Sequence, residues 1–355
     1  MLRYRLLGKS GLRVSEICLG TMSFGSNWGF GADEGESHRV LDVFAEAGGN
    51  FLDTANKYHN GETEQIVGKW LWGRRDRNVV ATKYTLAMDH GDINSAGNQR
   101  KNLVRSVEAS LKRLQTDYID LLWVHAYDDQ TPFEETLRAL DDLIRSGKVL
   151  YIGVSDTPAW VVSASNVLAE MRGWSAYAGL QIEYSLLQRT PERDLLPMAE
   201  HFGMSILAWA PLAAGVLTGK YTRDDVTKDS LRAAANAARG RTSEKNLAIA
   251  ALVDQIADEL KVTSTQVAVA WVMAQGYRFI PIVGARTVAQ IQDTLGAVNV
   301  TLDAHMRERL QSASAIEPGF PHDFLASQGV QDMVKTESRT RLLERPRRAY
   351  RGDIS

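Results

Sequence analysis

The chain has 355 residues, 44% of them hydrophobic and 24% charged, a balance typical of a folded globular protein. Its formal net charge of −2 provides no overall attraction to nucleic acid or to anionic lipid, which argues against both as general partners. The chain has one cysteine, Cys18, so a disulfide framework is excluded, and we expect a reducing, cytoplasmic location.

The N-terminal segment lacks the long apolar stretch of a secretory signal, and no segment approaches membrane-spanning length. Residues 3–14 predict a β-hairpin, with a turn at Gly8–Gly11 between two short apolar strands. Since this hairpin precedes the first strand of the main pattern, we expect it to cover one end of the sheet.

Eight short apolar runs follow, and helical patterns separate most of them. They are Ile17–Leu19, Phe51–Leu52, Val79–Ala81, Ile119–Val124, Val149–Val154, Leu180, Ile206–Ala208 and Ile280–Val283. Strands that alternate with helices are typical of a (β/α)8 TIM barrel, in which all strands end at one face and the active site lies there. The sequence therefore predicts an α/β barrel with an added N-terminal hairpin.

The intervening helices are marked by apolar stripes and end signals. In residues 131–149, Thr131 is the expected N-cap, Pro132 the first helical residue and Gly147 the C-cap. Its inward stripe is Leu137, Leu140, Leu143 and Ile144. The preceding helix, which we expect to end at Gly73, directs Ile66, Val67, Trp70 and Leu71 inward.

Two polar stretches interrupt the alternation, and we interpret both as loops on the catalytic side. One is Asp89–Asn98, after the third run, and the other is Thr222–Ser243, after the seventh. Long loops there usually hold substrate or cofactor, although a surface insertion without a role is the open alternative.

The end of the chain departs from the barrel pattern. We expect residues 1–317 to form a single barrel domain and residues 318–355 to form a C-terminal extension. The extension ends in an Arg-rich run at residues 339–351, which fits either a solvated tail or a nucleic-acid contact. Steep, salt-dependent binding lost on deletion of residues 339–355 would indicate the second.

Four chemically active residues follow the second, third and fourth apolar runs: Asp53, Tyr58, Lys83 and His125. Tyrosine is a weak acid with a pKa of about 10, and a nearby ammonium such as Lys83 favours the phenolate. Asp53 could hold Lys83 in its charged form, and His125 offers a hydrogen bond to a carbonyl oxygen. The set predicts general-acid catalysis, whereas any one of these residues taken singly more often has a structural role.

Other site classes fit the sequence less well. The seven histidines show no paired i, i+4 spacing, and a single cysteine rules out a zinc–thiolate site, so we predict no metal. No GxSxG elbow occurs, and no GxGxxG opens a helix after the first strand. A nucleotide would therefore bind by a plan other than a Rossmann fold.

Several motifs recur in a recognisable order: FLDTANKYHNGETEQIVGKWL, LLWVHAYD, GKVLYIGVSD, LQIEYSLL, LAWAPLAAGVLTGKY and PIVGARTVAQI. From about residue 3 to about residue 315 the chain strongly resembles the aldo-keto reductase superfamily. Within it, the likeness is to the bacterial-type, aryl-alcohol dehydrogenase-like and potassium-channel β-subunit-like branches. The resemblance implies a TIM barrel that binds NADPH and reduces carbonyls, with Asp53, Tyr58, Lys83 and His125 as its catalytic tetrad.

The resemblance also implies a set of cofactor contacts. For the nicotinamide they are Gly20, Thr21, Met22, Ser155, Asp156, Gln181 and Trp209, of which Trp209 would stack on the ring or, alternatively, pack in the core. For the diphosphate they are Ala210, Pro211, Leu212, Ala214, Gly215 and Lys220. For the adenosine end they are Gly284, Arg286, Gln290, Asp293 and Thr294. Arg286 could grip a 2′-phosphate bidentately, which favours NADPH, or could be a surface arginine.

Two of these positions depart from the commonest family pattern. Asp156 stands where an asparagine often follows the serine, and Thr294 replaces a frequent asparagine near the adenine. The first change exchanges a two-way hydrogen bonder for a charged acceptor, and the second removes an amide.

Four aromatic residues near the strand ends are expected to line the substrate pocket: Phe24, Trp28, Tyr84 and Tyr127. They favour aryl or medium-chain aldehydes and ketones, although they could equally pack the barrel mouth. Keto-deoxysugars are an open alternative, because aromatic rings also stack on sugars. A cofactor-sensing regulatory subunit with slow reductase activity is a further alternative, while the oligomeric state cannot be read from the sequence.

Overall fold

A computed structural model describes residues 1–223, 231–276 and 278–336, with only the backbone of residues 231 and 232. The described chain divides into two compact units, Met1–Ser314 and a second that begins at Ala315. The Arg-rich run at 339–351 lies outside the described residues.

The described residues of the first unit form ten strands. They are β1 Tyr4–Leu6, β2 Arg13–Ser15, β3 Cys18–Gly20, β4 Phe51–Asp53, β5 Val79–Tyr84, β6 Ile119–Val124, β7 Val149–Ser155, β8 Gly179–Glu183, β9 Ser205–Trp209 and β10 Phe279–Gly284. β1 and β2 pair antiparallel as the predicted hairpin. β3 to β10 form a closed barrel in which every neighbouring pair is parallel, and β10 closes it against β3. The predicted (β/α)8 TIM barrel is confirmed.

Helices connect the successive barrel strands. Those of the first unit are α1 Glu34–Glu46, α2 Glu62–Leu71, α3 Arg100–Leu114, α4 Phe133–Arg145, α5 Ala159–Arg172, α6 Leu195–Phe202, α7 Leu231–Ala238, α8 Glu244–Leu260, α9 Ser264–Met273, α10 Val288–Leu295 and α11 Ala304–Ala313. The second unit contains α12 His322–Ala326 and α13 Gln328–Lys335. Among the described residues, no helix is both long and apolar enough to cross a membrane.

The core has two layers, because successive strand side chains point to opposite faces. One set fills the barrel interior, where Cys18, Phe51, Ala81, Trp123, Leu207 and Ile280 pack with Leu7 and Val14 of the hairpin. The other set faces the helices and includes Leu19, Leu52, Val80, Leu122, Ile152 and Ile206. The Gly8 amide donates to Ser205 Oγ at 2.7 Å, so the hairpin covers the end of the barrel where the strands begin, as predicted.

Two helix boundaries and one loop differ from prediction. Pro132 is the N-cap of α4 rather than its first residue, because the Thr131 hydroxyl donates to Asp128 instead of capping the helix. The C-cap is Ser146, followed by Gly147 with φ +75°. The predicted loop Thr222–Ser243 contains α7, whose alanine-rich sequence has high intrinsic helix propensity, and residues 224–230 lie outside the described part.

The other loop and the inward stripes agree with prediction. Residues 89–98 contain no helix or strand. The side chains of Ile66, Val67, Trp70 and Leu71 are buried on α2, and Leu137, Leu140 and Leu143 are buried on α4 with Ile144 packed against the core.

Candidate active site

Strand alternation brings the candidate catalytic residues to one end of the barrel interior. Asp53 has the same inward parity as Phe51, and Lys83 the same as Ala81. His125 continues the inward series of Trp123 one residue beyond β6. These strand ends surround an opening that we call the mouth, defined by the C-terminal ends of β3 to β10 and the loops that follow them.

Lys83 is the centre of the site, with a side chain that is 1% exposed. Its Nζ donates to Asp53 Oδ2 at 2.5 Å, to the Thr54 carbonyl at 2.9 Å and to Tyr58 Oη at 3.0 Å. An ammonium has three N–H donors, and all three are used here. The Tyr58 oxygen therefore accepts from Lys83, and its own proton is left to point away from the lysine.

Tyr58 begins a short turn between β4 and α2, where the chain passes over the mouth. Its ring is edge-on to His125, with 6.0 Å between ring centroids, and to Trp28 at 6.3 Å. The Lys83 ammonium lies 4.7 Å from the same ring centroid. The Tyr58 ring is thus held between the rings of His125 and Trp28, while its hydroxyl accepts from Lys83.

The charges of this cluster follow from burial and pairing. Burial opposes a charged Lys83, but attraction from Asp53 and Tyr58 outweighs it and raises the pKa of the lysine, which stays protonated. Burial also raises the pKa of Tyr58, and the opposing effect of Lys83 is smaller. The expectation that Lys83 brings the tyrosine pKa below its ordinary value is therefore wrong for this structure, and Tyr58 is a neutral phenol.

His125 is uncharged at neutral pH. Burial and then repulsion from Lys83 lower its pKa to about 3. Its backbone N–H donates to Thr85 Oγ1 at 3.2 Å, while its Nδ1 is buried without a hydrogen-bond partner in the protein. The imidazole therefore offers a neutral hydrogen bond in the mouth rather than a positive charge.

Gln181, one of the residues expected to contact the nicotinamide, is hydrogen-bonded to this cluster. Its Nε2 donates to Asp53 Oδ1 at 2.9 Å, and its side chain is buried. The register pairs it with Ser155, which is also buried at the mouth end of β7. In the described contacts Gln181 supports Asp53, a role that the sequence did not predict.

Trp209 ends β9 with its indole partly packed against the barrel-interior core and partly exposed in the mouth. Its Nε1 donates to Asp156 Oδ1 at 3.2 Å. Asp156 follows β7 with a positive φ of +43°, and its side chain is exposed to the mouth. The indole therefore presents a flat face whose edge is anchored by a carboxylate.

The residues expected near the nicotinamide on β3 have different environments. Gly20 ends the strand, and an added Cβ would overlap Ile282. Thr21 is fully buried, and its hydroxyl donates to the Asp53 carbonyl at 3.0 Å. Met22 is 45% exposed and stands free to contact a ligand.

The segment expected to hold the diphosphate has an unusual backbone. Ala210, Ala213 and Ala214 have φ values of +51°, +47° and +55°, and Gly215 follows at +94°. These residues form tight turns, in which the Ala213 and Gly215 amides donate to the Ala210 and Leu212 carbonyls. Pro211 is buried, Leu212 is half-buried and packs against the core, and Lys220 is exposed nearby in sequence.

At the expected adenosine end, some residues are exposed to solvent and others are held by hydrogen bonds within the protein. Gly284 and Arg286 are exposed, and the Arg286 amide donates to Gln290 Oε1 at 2.8 Å. The Asp293 carboxylate accepts from Thr263 and Gln266, and the Thr294 hydroxyl is buried and donates to the Gln290 carbonyl. The Asp293 carboxylate thus joins α10 to the start of α9, whereas the Thr294 hydroxyl bonds within α10.

Two of the four expected substrate-pocket residues do not reach the mouth. Phe24 and Tyr84 are fully buried in the layer between the sheet and the helices, so their assignment to the pocket is wrong. For Tyr84 the reason is parity, since it directly follows inward-facing Lys83 on β5. Trp28 lies beside Tyr58, and Tyr127 is 38% exposed, which leaves these two at the mouth.

The structure adds supporting residues that sequence reasoning missed. Thr85, with φ +98°, donates to Asn98 Oδ1 at 2.6 Å, and Asn98 Nδ2 donates to the Ala126 carbonyl at 3.0 Å. This pair fixes the backbone on both sides of His125. Only the position of Thr85 directly after a strand could have signalled it.

A second support holds Trp28. The His59 ring stacks on Trp28 at 4.7 Å between centroids, and Glu62 accepts backbone N–H groups from Ser26 and Asn27. The aromatic wall beside Tyr58 is therefore braced by residues of the turn that carries Tyr58.

Comparison with known proteins agrees with this architecture. The family model of the aldo/keto reductase family matches residues 16–315. The chain is 38% identical over 333 residues to a norsolorinic acid reductase of Aspergillus flavus, covering 91% of this chain and 84% of that protein. It is 37% identical over 345 residues to an aryl-alcohol dehydrogenase [NADP(+)] of Phanerodontia chrysosporium, covering 90% and 88%.

A putative aryl-alcohol dehydrogenase of Saccharomyces cerevisiae is similar to the same extent, with 36% identity over 336 residues. The chain therefore belongs to the aldo/keto reductase family of oxidoreductases, as the motifs predicted.

Proposed function

We propose that this protein is an NADPH-dependent reductase that converts aldehyde or ketone carbonyls to alcohols, with Tyr58 as the general acid. The observation that carries the proposal is the hydrogen bond from Lys83 Nζ to Tyr58 Oη at 3.0 Å, which leaves the tyrosine proton available to a substrate. Neutral His125 stands beside the same ring. Small-molecule carbonyl compounds are the proposed partners.

The residues of the mouth fit a nicotinamide cofactor. Trp209 offers a partly accessible flat ring, Ser155 and Gln181 offer polar groups at the neighbouring strand ends, and Ala210–Gly215 offer tight left-handed turns at the expected diphosphate position. Exposed Arg286 suits a 2′-phosphate and supports NADPH rather than NADH. When bound, such a cofactor supplies the hydride.

The chain's own residues would handle the oxygen and its proton. A carbonyl oxygen held between Tyr58 and His125 receives hydrogen bonds from both, and Tyr58 donates its proton as negative charge develops there. Lys83 stabilises the resulting phenolate, because its ammonium already bonds the same oxygen. Asp53 keeps Lys83 charged and aimed, and Gln181 holds Asp53.

Aromatic aldehydes and ketones are the substrate class that we favour. Trp28 and Tyr127 provide aromatic surface at the mouth, and two of the similar proteins are named aryl-alcohol dehydrogenases. We further propose that residues 1–317 form the catalytic domain and that the protein acts in the cytoplasm. The matched residues 16–315 and the lone buried Cys18 support these two points.

A cofactor-oxidation assay over aryl aldehydes, aliphatic ketones and keto sugars tests the function. We expect NADPH oxidation by wild type with aryl carbonyls and a loss of turnover of roughly 10²–10⁴-fold in Tyr58→Phe. Tyr118→Phe removes a hydroxyl at the start of β6, at the opposite end of the barrel, and should keep wild-type turnover. Equal turnover in Tyr58→Phe and wild type would contradict the role of Tyr58.

The same assay separates the alternatives. Rapid turnover only with keto sugars would replace aryl carbonyls as the substrate class. Cofactor binding with very slow oxidation for every carbonyl would instead indicate a cofactor-sensing regulatory subunit.

A further inference from the structure

The charges around Trp209 do not balance. Three carboxylates stand at the strand ends nearby: Asp53, Asp156 and Glu183. Asp53 is paired with Lys83 at 2.5 Å, and Glu183 is paired with Arg241 at 2.5 Å. Among the residues that the structure describes, no ion pair includes Asp156. Of these three carboxylates, the one beside the indole is therefore the one without an ion-pair partner, although Lys83 attracts it from a longer distance.

The position of that charge is tightly defined. Asp156 Oδ1 accepts the Trp209 indole N–H at 3.2 Å, so the carboxylate lies at the edge of the ring. The φ of +43° holds the residue in a left-handed conformation, and the Asp156 amide donates to the Gln181 carbonyl at 3.3 Å. A planar ligand stacked on Trp209 would have this carboxylate near its rim.

We propose that Asp156 determines which redox form of the nicotinamide cofactor binds more tightly, favouring the oxidised form. The inference rests on the proposed function, since it takes Trp209 as the surface against which the nicotinamide packs. The oxidised ring is cationic and the reduced ring is neutral, so a nearby carboxylate attracts only the first. The asparagine that is common at this position provides a hydrogen bond without the charge.

The expected effect of this charge on cofactor binding is large enough to measure. A charge pair about 5 Å apart in partly solvated surroundings changes a binding constant by on the order of tenfold. Partial desolvation beside Trp209 raises the pKa of Asp156 more than the Trp209 hydrogen bond lowers it, and neighbouring Glu183 raises it further. A carboxylate with a raised pKa gains from a cationic ligand. Tighter binding of the oxidised cofactor would make hydride donation from the bound reduced form more favourable and would slow release of the oxidised cofactor after reduction.

The test measures dissociation constants rather than turnover. Isothermal titration calorimetry gives Kd for NADP+ and for NADPH with wild type, Asp156→Asn, Asp156→Ala and Asp142→Asn. Asp156→Asn retains an oxygen acceptor for the indole and removes only the charge. Asp142, which pairs with Arg100 and Arg138 on the surface of α4, is the matched carboxylate control.

We expect Asp156→Asn to weaken NADP+ about tenfold relative to NADPH, with the same relative change in Asp156→Ala and none in Asp142→Asn. Equal weakening of both forms, or a change confined to Asp156→Ala, would overturn the proposal in favour of a merely positioning role for the Trp209 hydrogen bond. An unchanged ratio in both Asp156 variants would overturn it outright. If wild type binds neither form, the proposed function fails with it, whereas turnover with an unchanged ratio removes only the role of Asp156.

Discussion

At the scale of single residues, the site depends on one buried ammonium. Lys83 can stay charged inside the barrel because Asp53, the Thr54 carbonyl and Tyr58 take all three of its donors. A buried charge without partners would cost several kcal/mol, so the same contacts that stabilise the fold also aim the tyrosine proton. Residue types and spacing predicted this group, but only coordinates could give the balance that leaves Tyr58 neutral.

The neutral state of His125 predicts a pH dependence of stability. Its folded pKa of about 3 lies below the unfolded value of about 6.5, so below pH 6.5 the unfolded chain gains a proton that the folded chain excludes. The stability contribution is complete above pH 6.5 and is lost as pH falls toward 3. Between pH 6.5 and 4.5, wild type should lose on the order of 1–2 kcal/mol more unfolding free energy than His125→Gln.

Urea unfolding of both proteins at several pH values checks this. At pH 7.5 the imidazole is neutral in both states, so the difference measured there gives the packing cost of the substitution and serves as the baseline. Parallel pH profiles for the two proteins would show that His125 is not the group responsible.

Arg286 predicts the choice of cofactor. Hydrogen bonds to a charged group are worth about 1.5–3 kcal/mol, so Arg286→Ala should weaken NADPH binding by roughly 10–100-fold and leave NADH binding nearly unchanged. Measured Kd values for both cofactors test this, with Arg307→Ala, on the exposed surface of α11, as the control. An unaltered preference in Arg286→Ala would identify Arg286 as an ordinary surface arginine.

At the scale of elements, packing of the barrel interior depends on large residues on one strand facing small residues on nearby strands. Trp123 on β6 is fully buried, and glycines at 153 on β7 and 179 on β8 make room for its ring. A Cβ at Gly153 would overlap the Trp123 ring directly. Large and small residues on neighbouring strands thus fill the interior below the catalytic cluster, which gives the mouth a rigid floor.

Gly153→Ala is therefore expected to destabilise the protein by about 1–3 kcal/mol through overpacking. Chemical denaturation measures the change, and Gly11→Ala, at an exposed site with no heavy atom within 4 Å of the added Cβ, should leave stability nearly unchanged. Adding Trp123→Phe should recover part of the loss in the Gly153→Ala background. A Gly153→Ala protein as stable as wild type would argue against this packing.

Elements also explain which predictions were wrong. Tyr84 ends β5 and Phe24 lies four residues after β3, but closeness to a strand end does not say which face a side chain takes. The helix α7 lies inside a stretch interpreted as loop, because polar and Arg-rich composition concealed its helix-forming alanines. Thr85 and Asn98 escaped notice because their contact joins residues on separate segments around His125.

At the scale of the whole molecule, barrel closure converts distant positions into neighbours. Asp53 and Gln181 are separated by 128 positions in the chain yet share a hydrogen bond across the interior. Closure of β10 against β3 also brings Gly284 beside Gly20, so the proposed cofactor residues surround one mouth. The barrel thereby forms one site from residues that are scattered along the sequence.

By itself, the sequence determined the alternation of strands and helices, the family and the residue types at each strand end, because apolar periodicity and motif order are local properties. The tertiary structure alone decided which side chains share hydrogen bonds, since these depend on strand register and parity across a closed sheet. It directed Gln181 to Asp53, joined Asp293 to α9 and the Thr294 hydroxyl to its own helix, and left Asp156 outside any ion pair among the described residues. Burial, which is likewise a property of the whole fold, set the protonation states of Tyr58, Lys83 and His125.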